Sequence, residues 1–146
     1  MAIKIFTIGF TKKTAQQFFD RLRDAGIRRV IDTRLNRKSQ LAGFAKESDL
    51  PFLLKEILHA EYLQEPLTAP TAELLKLYKS KSIDWLEYER RFQSLIATRG
   101  IDKQLDRSLF NGACLLCSED KPHHCHRRLV AEYLKEKWGD VEIRHL

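Results

Sequence analysis

Ile3-Lys4-Ile5-Phe6-Thr7-Ile8, Thr14-Ala15-Gln16-Gln17-Phe18 and Arg29-Val30-Ile31-Asp32 are the stretches on which the fold turns. The first reads as an apolar strand. In the second, Thr14 and Gln17 have the spacing of a capping box: the threonine hydroxyl accepts from a first-turn amide and the glutamine reaches back to the cap. Phe18, Leu22 and Ala25 follow at i, i+4 and i+7 as one buried stripe, and Gly26 supplies a left-handed stop. The third stretch is a second short strand. Strand, helix and strand over about thirty residues is the span of one βαβ unit.

Working outward, a basic and irregular stretch runs from Thr33 to Asp49. A short helix is expected near 51–59 and a third strand at 61–64. Pro66 and Pro70 then break the chain before a helix over 71–79, in which Leu74, Leu75 and Tyr78 form a stripe. Asp84 and Glu87 repeat the cap logic for a longer helix whose Trp85, Tyr88, Phe92, Leu95 and Ile96 share a face, and Gly100 stops it. Ile101, Leu105 and Leu109 suggest one more helix. A fourth strand at 112–117, a helix at 125–138 and a final strand at 141–145 close the chain.

Strands that alternate with helices predict an α/β domain. Its right-handed crossovers build a mostly parallel sheet of about five strands with helices on both faces, a three-layer sandwich of the Rossmann or flavodoxin kind. No repeat, linker or low-complexity tract divides residues 1–146, so a single domain is expected. Strand order depends on long-range pairing and is not readable.

The 146 residues are 43% hydrophobic and 32% charged, a globular composition with enough chain to bury a core without metals or disulfides. No apolar run approaches the roughly 20 residues that span a bilayer, so no membrane partner is expected. The opening apolar run is short and its lysines, Lys12 and Lys13, follow it, unlike a signal peptide. Three cysteines cannot all pair within the chain, which favours a reducing compartment; together these features predict a cytoplasmic protein. The net charge of +6 favours anionic partners, either a small anionic ligand or nucleic acid.

In open α/β sheets ligands bind beyond the carboxyl ends of the strands. Those ends carry Gly9, Thr11 and Lys12 after the first strand, and Asp32, Thr33 and Arg34 after the second. Glu65 follows the third, Cys117, Ser118 and Glu119 the fourth, and His145 closes the last. A parallel sheet gathers these groups on one rim.

Cys114-Leu115-Leu116-Cys117 has C-x-x-C spacing, but within a strand. Residues three apart on a strand face opposite ways and lie about 10 Å apart, too far for a disulfide. Cys114 therefore reads as a core residue, and Cys117 faces the rim. Cys125 stands near a helix start, where amide dipoles favour a thiolate. It is either a nucleophile, with His126 or His124 as its base, or a small buried cap residue. His126 lies on the stripe with Val130 and Tyr133 and is as readily structural as catalytic. Arg128 and Glu132 make an ordinary solvated pair. Arg127 sits where the helix dipole disfavours a cation, which calls for an anion: the carboxylate of Asp32 or Glu119, or a bound phosphate.

The run His123-His124-Cys125-His126 lacks the C-x₂₋₄-C or H-x₃₋₅-H spacing of common zinc sites, and no glycine-rich phosphate loop is present. No metal and no cofactor is expected. Arg34, Arg37, Lys38 and Lys46 with Phe44 form a basic loop suited to tracking a nucleic-acid backbone or to covering a ligand.

Thr7-Ile8-Gly9-Phe10, Val30-Ile31-Asp32-Thr33-Arg34, Ser39, Leu67-Thr68-Ala69-Pro70-Thr71, Leu115-Leu116-Cys117-Ser118-Glu119, Cys125-His126-Arg127 and Ile143-Arg144-His145-Leu146 resemble, in order, the motifs of the domain of unknown function family 488. The resemblance covers nearly the whole chain. It implies an α/β fold and a prokaryotic cytoplasmic protein, and carries no established activity. By motif match it points to Asp32, Arg34, Cys117, Glu119, Cys125, His126 and Arg127. The chain departs from the family's pattern at Thr33, often valine there, and at Arg37, often proline.

The reading that gathers these residues is an enzyme acting on a small anionic or nucleotide-like substrate. Cys117, Cys125, His126 and Asp32 are its candidate catalytic groups, and Arg34, Glu119, Arg127, Thr11 and Ser39 its candidate anion-binding groups. The alternatives are a nucleic-acid-binding module working through residues 33–49, and a non-catalytic protein whose Cys-His-Arg motif is a buried structural network.

Overall fold

A computed structural model describes residues 2–37 and 43–146. Five strands, β1 (Ile3–Gly9), β2 (Arg29–Asp32), β3 (Glu61–Gln64), β4 (Cys114–Cys117) and β5 (Val141–His145), form one sheet in the order β3-β2-β4-β1-β5. Every neighbouring pair is parallel. The seven α-helices among the described residues are α1 (Ala15–Asp24), α2 (Leu50–Leu58), α3 (Ala72–Lys79), α4 (Trp85–Arg99), α5 (Ile101–Gln104), α6 (Arg107–Phe110) and α7 (His126–Trp138). The expected α/β sandwich is the fold. No helix among the described residues is long and apolar enough to cross a membrane.

Strand alternation divides the core between the two faces of the sheet. In β2 Val30 points one way and Ile31 the other; in β4 Cys114 and Leu116 oppose Leu115. Phe18, Phe19 and Leu22 of α1 and Leu50, Leu54 and Leu58 of α2 cover the first face. Leu74 of α3, Tyr88, Phe92 and Ile96 of α4, and Leu129, Val130 and Leu134 of α7 cover the second. The layering decides where a ligand fits. β4 lies between β2 and β1, yet the helix that follows it, α7, packs on the face opposite α1 and α2. The chain therefore leaves adjacent strands in opposite directions at their carboxyl ends, the place where α/β sheets open a crevice.

Local signals set most element ends. Thr14 accepts from the Gln17 amide while the Gln17 side chain accepts from the Thr14 amide, a complete capping box. Asp84 caps α4 through the Glu87 amide, but the Glu87 carboxylate turns to Arg90 and Arg91, so only half of the expected box forms. Gly100 ends α4 with φ 63°. The single helix expected over Ile101, Leu105 and Leu109 is two, α5 and α6. Leu105 turns extended at φ −85° and ψ 144°, and Asp106 starts a new helix by accepting from the Ser108 amide. Arg128 is not simply solvated: besides Glu132 it meets Glu89 of α4 at 3.1 Å, pinning α4 to α7.

Gly9 ends β1 against the loop that follows β4. A Cβ placed there would stand 1.5 Å from the Glu119 carbonyl oxygen, a backbone atom that cannot swing aside. Gly9→Ala should therefore cost at least about 3 kcal/mol, the upper range for overpacking. Urea unfolding followed by circular dichroism measures the loss, and a change below about 1 kcal/mol would show that the loop yields.

Candidate functional site

Asp32 closes β2 inside the protein, 1% exposed, and such a carboxylate requires a partner. Arg34, two residues on and 2% exposed, supplies a bidentate one: Nε donates to Oδ1 at 2.9 Å and Nη2 to Oδ2 at 2.7 Å. The Tyr62 hydroxyl of β3 also donates to Oδ2, and the Arg34 backbone amide to Oδ1 at 3.0 Å. Burial and the neighbouring Asp32 charge push the Tyr62 hydroxyl upward, so it stays protonated as a donor. Burial alone would lower the guanidinium of Arg34, but the hydrogen bond and charge of Asp32 outweigh it. Arg34 Nη2 also reaches the Ala45 carbonyl at 2.7 Å, and the guanidinium carbon lies 5.3 Å from the centre of the Phe10 ring. Arg34 Nη1 is buried and has no hydrogen-bond partner among the described residues.

The second half of the site is built by β4 and α7. Thr33 follows Asp32 and bonds across to β4, with both its amide and its hydroxyl donating to the Leu116 carbonyl. Its own carbonyl accepts from His126 Nε2 at 2.7 Å. A carbonyl only accepts, so Nε2 carries the hydrogen and Nδ1 is left facing Cys117 Sγ at 3.5 Å. Cys125 is the N-cap of α7, and its sulfur joins Cys117 Sγ and the His126 ring in a group whose atoms all lie within 4.8 Å of one another. All three residues are buried.

The two thiols differ. Cys117 is pushed up by its hydrogen bond to Cys125 and by burial. Burial alone would also raise Cys125, but hydrogen bonds with Cys117 and His126 and the positive charges of His126 and Arg127 hold it well below the ordinary thiol range. Its position at the amino end of a helix acts in the same direction. Cys114, by contrast, is a core thiol raised by burial.

Cys117, Cys125 and His126 open into a cavity of about 460 Å³, a size suited to a small organic ligand. Arg34, Ser118 and Glu119 line it too. Its far wall is aromatic. Trp85 stacks on His124 with centroids 4.8 Å apart and on Tyr88 at 5.2 Å, and Tyr78 lies 4.9 Å from Tyr88.

Of the residues singled out from sequence, Arg34, Cys117, Glu119, Cys125 and His126 meet at this cavity, and Asp32 lies beneath Arg34. Arg127 lies elsewhere. In place of a carboxylate it meets oxygen atoms without formal charge: Nη1 and Nη2 donate to the Glu119 and Asp120 carbonyls and Nε to the Thr7 hydroxyl. Thr7 in turn bonds His145 Nδ1 at 2.6 Å. Arg127 thus braces the 118–125 loop against β1. Thr11 donates to the Ser118 carbonyl and is not part of the cavity wall. In the basic loop Arg37 pairs with Glu47 at 3.0 Å. Lys38 and Ser39 lie outside the described residues. Tyr62 beside Asp32, and the place of Tyr78, Trp85, Tyr88 and His124 on the cavity wall, were missed, because residue spacing does not say which rings border a void or meet a buried carboxylate.

Fold and site together define a parallel three-layer α/β protein with a paired-thiol centre at the ends of its strands. The chain belongs to the family described as the domain of unknown function DUF488, whose model matches residues 14–134. No curated protein and no solved structure matches the chain.

Two predictions follow from the geometry. Because Cys125 is held below the ordinary thiol range, it remains a thiolate as pH falls through that range and protonates only at its lower native value. Its stabilising contribution is likewise complete above the unfolded-state value and is lost toward the native one. Iodoacetamide labelling of reduced, chelator-treated protein, read by peptide mass spectrometry, should modify Cys125 with a pH midpoint below about 8.5, the value of a free thiol. A midpoint at or above that value contradicts the geometry. Arg34→Met should cost about 3–5 kcal/mol by leaving the Asp32 carboxylate buried without its cation, and adding Asp32→Asn should recover part of the loss. Denaturant titration of both variants measures the difference.

Proposed function

We propose that this protein is an enzyme that uses the Cys125 thiolate as a nucleophile on a small, flat, anion-bearing substrate of nucleotide-like chemistry. The observation that carries the reading is the meeting, in one cavity, of a thiol at a helix amino end with a buried guanidinium whose Nη1 has no partner among the described residues. In this reading Arg34 takes the anionic or carbonyl end of the substrate through Nη1, and Asp32 and Tyr62 hold that guanidinium in place. The aromatic wall of Tyr78, Trp85 and Tyr88 takes the flat body. Cys125 attacks the electrophilic carbon or phosphorus, the leaving group departs with its electron pair, and a covalent thio-intermediate forms. His126, fixed by Thr33, keeps the thiolate and transfers the proton that the leaving group needs.

Incubation of the wild type with nucleotides, phosphate esters and carboxylate esters, followed by mass spectrometry of the intact chain, should reveal a covalent adduct on Cys125. Cys125→Ser should lose the adduct while melting within a few degrees of the wild type, and Arg34→Lys should weaken capture of the anionic compounds. Unfolding of Cys125→Ser, together with ordinary slow alkylation of the wild-type thiol, would sink the proposal and leave the Cys-His-Arg motif a structural network.

A further inference from the structure

Cys117, Cys125 and His126 satisfy conditions beyond those of a nucleophile and its base. They come from two elements that the sheet brings together: Cys117 from the end of β4, Cys125 and His126 from the start of α7. Two consecutive residues seldom aim at one point, but Cys125 has extended backbone, φ −140° and ψ 138°, and His126 begins the helix. The change of conformation between them brings both side chains to Cys117. In a tetrahedral zinc site a sulfur at about 2.3 Å and a nitrogen at about 2.0–2.1 Å stand roughly 3.5 Å apart. The separation of Cys117 Sγ from His126 Nδ1 is 3.5 Å.

The surroundings agree. His126 Nε2 donates to the Thr33 carbonyl, the outer hydrogen bond that fixes a ligating imidazole and leaves Nδ1 to the ion. Each of the three residues is less than a tenth exposed, and at that depth both cysteines can be thiolates together only beside a compensating positive charge. The guanidinium of Arg127 is already committed to Thr7, Glu119 and Asp120. A divalent ion on two thiolates and a neutral imidazole leaves the group with no net charge. A soft sulfur and nitrogen donor set selects zinc or copper(I) over magnesium or calcium.

We infer that Cys117 Sγ, Cys125 Sγ and His126 Nδ1 form a three-ligand site for a thiophilic metal ion, zinc above all, with the fourth position left to the cavity, and that the bound ion silences Cys125. The second half of this inference rests on the reading of Cys125 as a nucleophile. Binding takes up a lone pair from each sulfur and from Nδ1, and releases to solvent the Cys117 proton and the second imidazole proton where His126 is charged. No electron is transferred, so removing the ion restores the thiol.

The test uses the full chain, stripped with a chelator and kept under a phosphine reductant. Titration with cobalt(II) should give the intense near-ultraviolet sulfur charge-transfer band and the visible bands of a tetrahedral ion, saturating at one ion per chain, and zinc should displace it. Saturating zinc should slow iodoacetamide labelling of Cys125 at least about tenfold, and Cys117→Ala should remove the cobalt band while Cys125 still labels. The wild-type protection measurement stands even if that variant fails to fold. Unchanged labelling under zinc with no cobalt band overturns the metal inference and leaves the nucleophile intact. Stoichiometric metal on a chain whose stripped Cys125 labels no faster than a free thiol upholds the site and overturns the nucleophile.

Discussion

The hydrogen bond from His126 to the Thr33 carbonyl joins two stretches that are ninety-three residues apart in the chain, and the site depends on it. Thr33 is itself held to β4 through the Leu116 carbonyl, so the imidazole reads the position of β2 through β4. With the ring fixed, Nδ1 has one direction left, toward Cys117. The orientation of His126, the pairing of the thiols and the placement of Arg34 above them all follow from β2 and β4 being neighbours.

That adjacency also accounts for the division of charge. Asp32 and Arg34 neutralise each other beneath the cavity, with Tyr62 taking a remaining lone pair of the carboxylate. Removing such a pair from water is costly, and its geometry recovers the cost only because every contact is direct. Arg34 Nη1 is the exception. In a network otherwise satisfied, a nitrogen with no partner among the described residues, on a side chain that lines the cavity, is where a ligand atom has something to gain. Arg127, bonded to Thr7 of β1 and to the loop after β4, does different work by neutralising the carbonyl dipoles of that loop, and it leaves the cavity to Arg34.

How much of this was legible follows the range of each interaction. Thr14, Thr71 and Asp84 cap their helices through amides three residues away, so their signals are complete within a few letters of sequence. The break between α5 and α6 was hidden because the apolar spacing of Ile101, Leu105 and Leu109 runs unbroken through it, and the turn at Leu105 belongs to packing. Cys114 and Cys117 could be assigned to opposite faces, since strand alternation requires nothing beyond the strand. The partner of Arg127 could not be named: that a cation at a helix start needs oxygen atoms is local, but which oxygen atoms come near depends on how the 118–125 loop lies on β1.

By itself the sequence determined the alternation of strands and helices, most of their ends, and the fact that reactive side chains crowd the carboxyl ends of strands. These are properties of periodicity and capping that hold wherever the element is placed. Only the tertiary structure decided that β4 inserts between β2 and β1, that Tyr78, Trp85 and Tyr88 border a void as well as packing on the core, and that Cys117 meets Cys125 and His126. Those outcomes depend on which strands pair across long loops, and strand pairing is a competition among distant segments that no short window of sequence records.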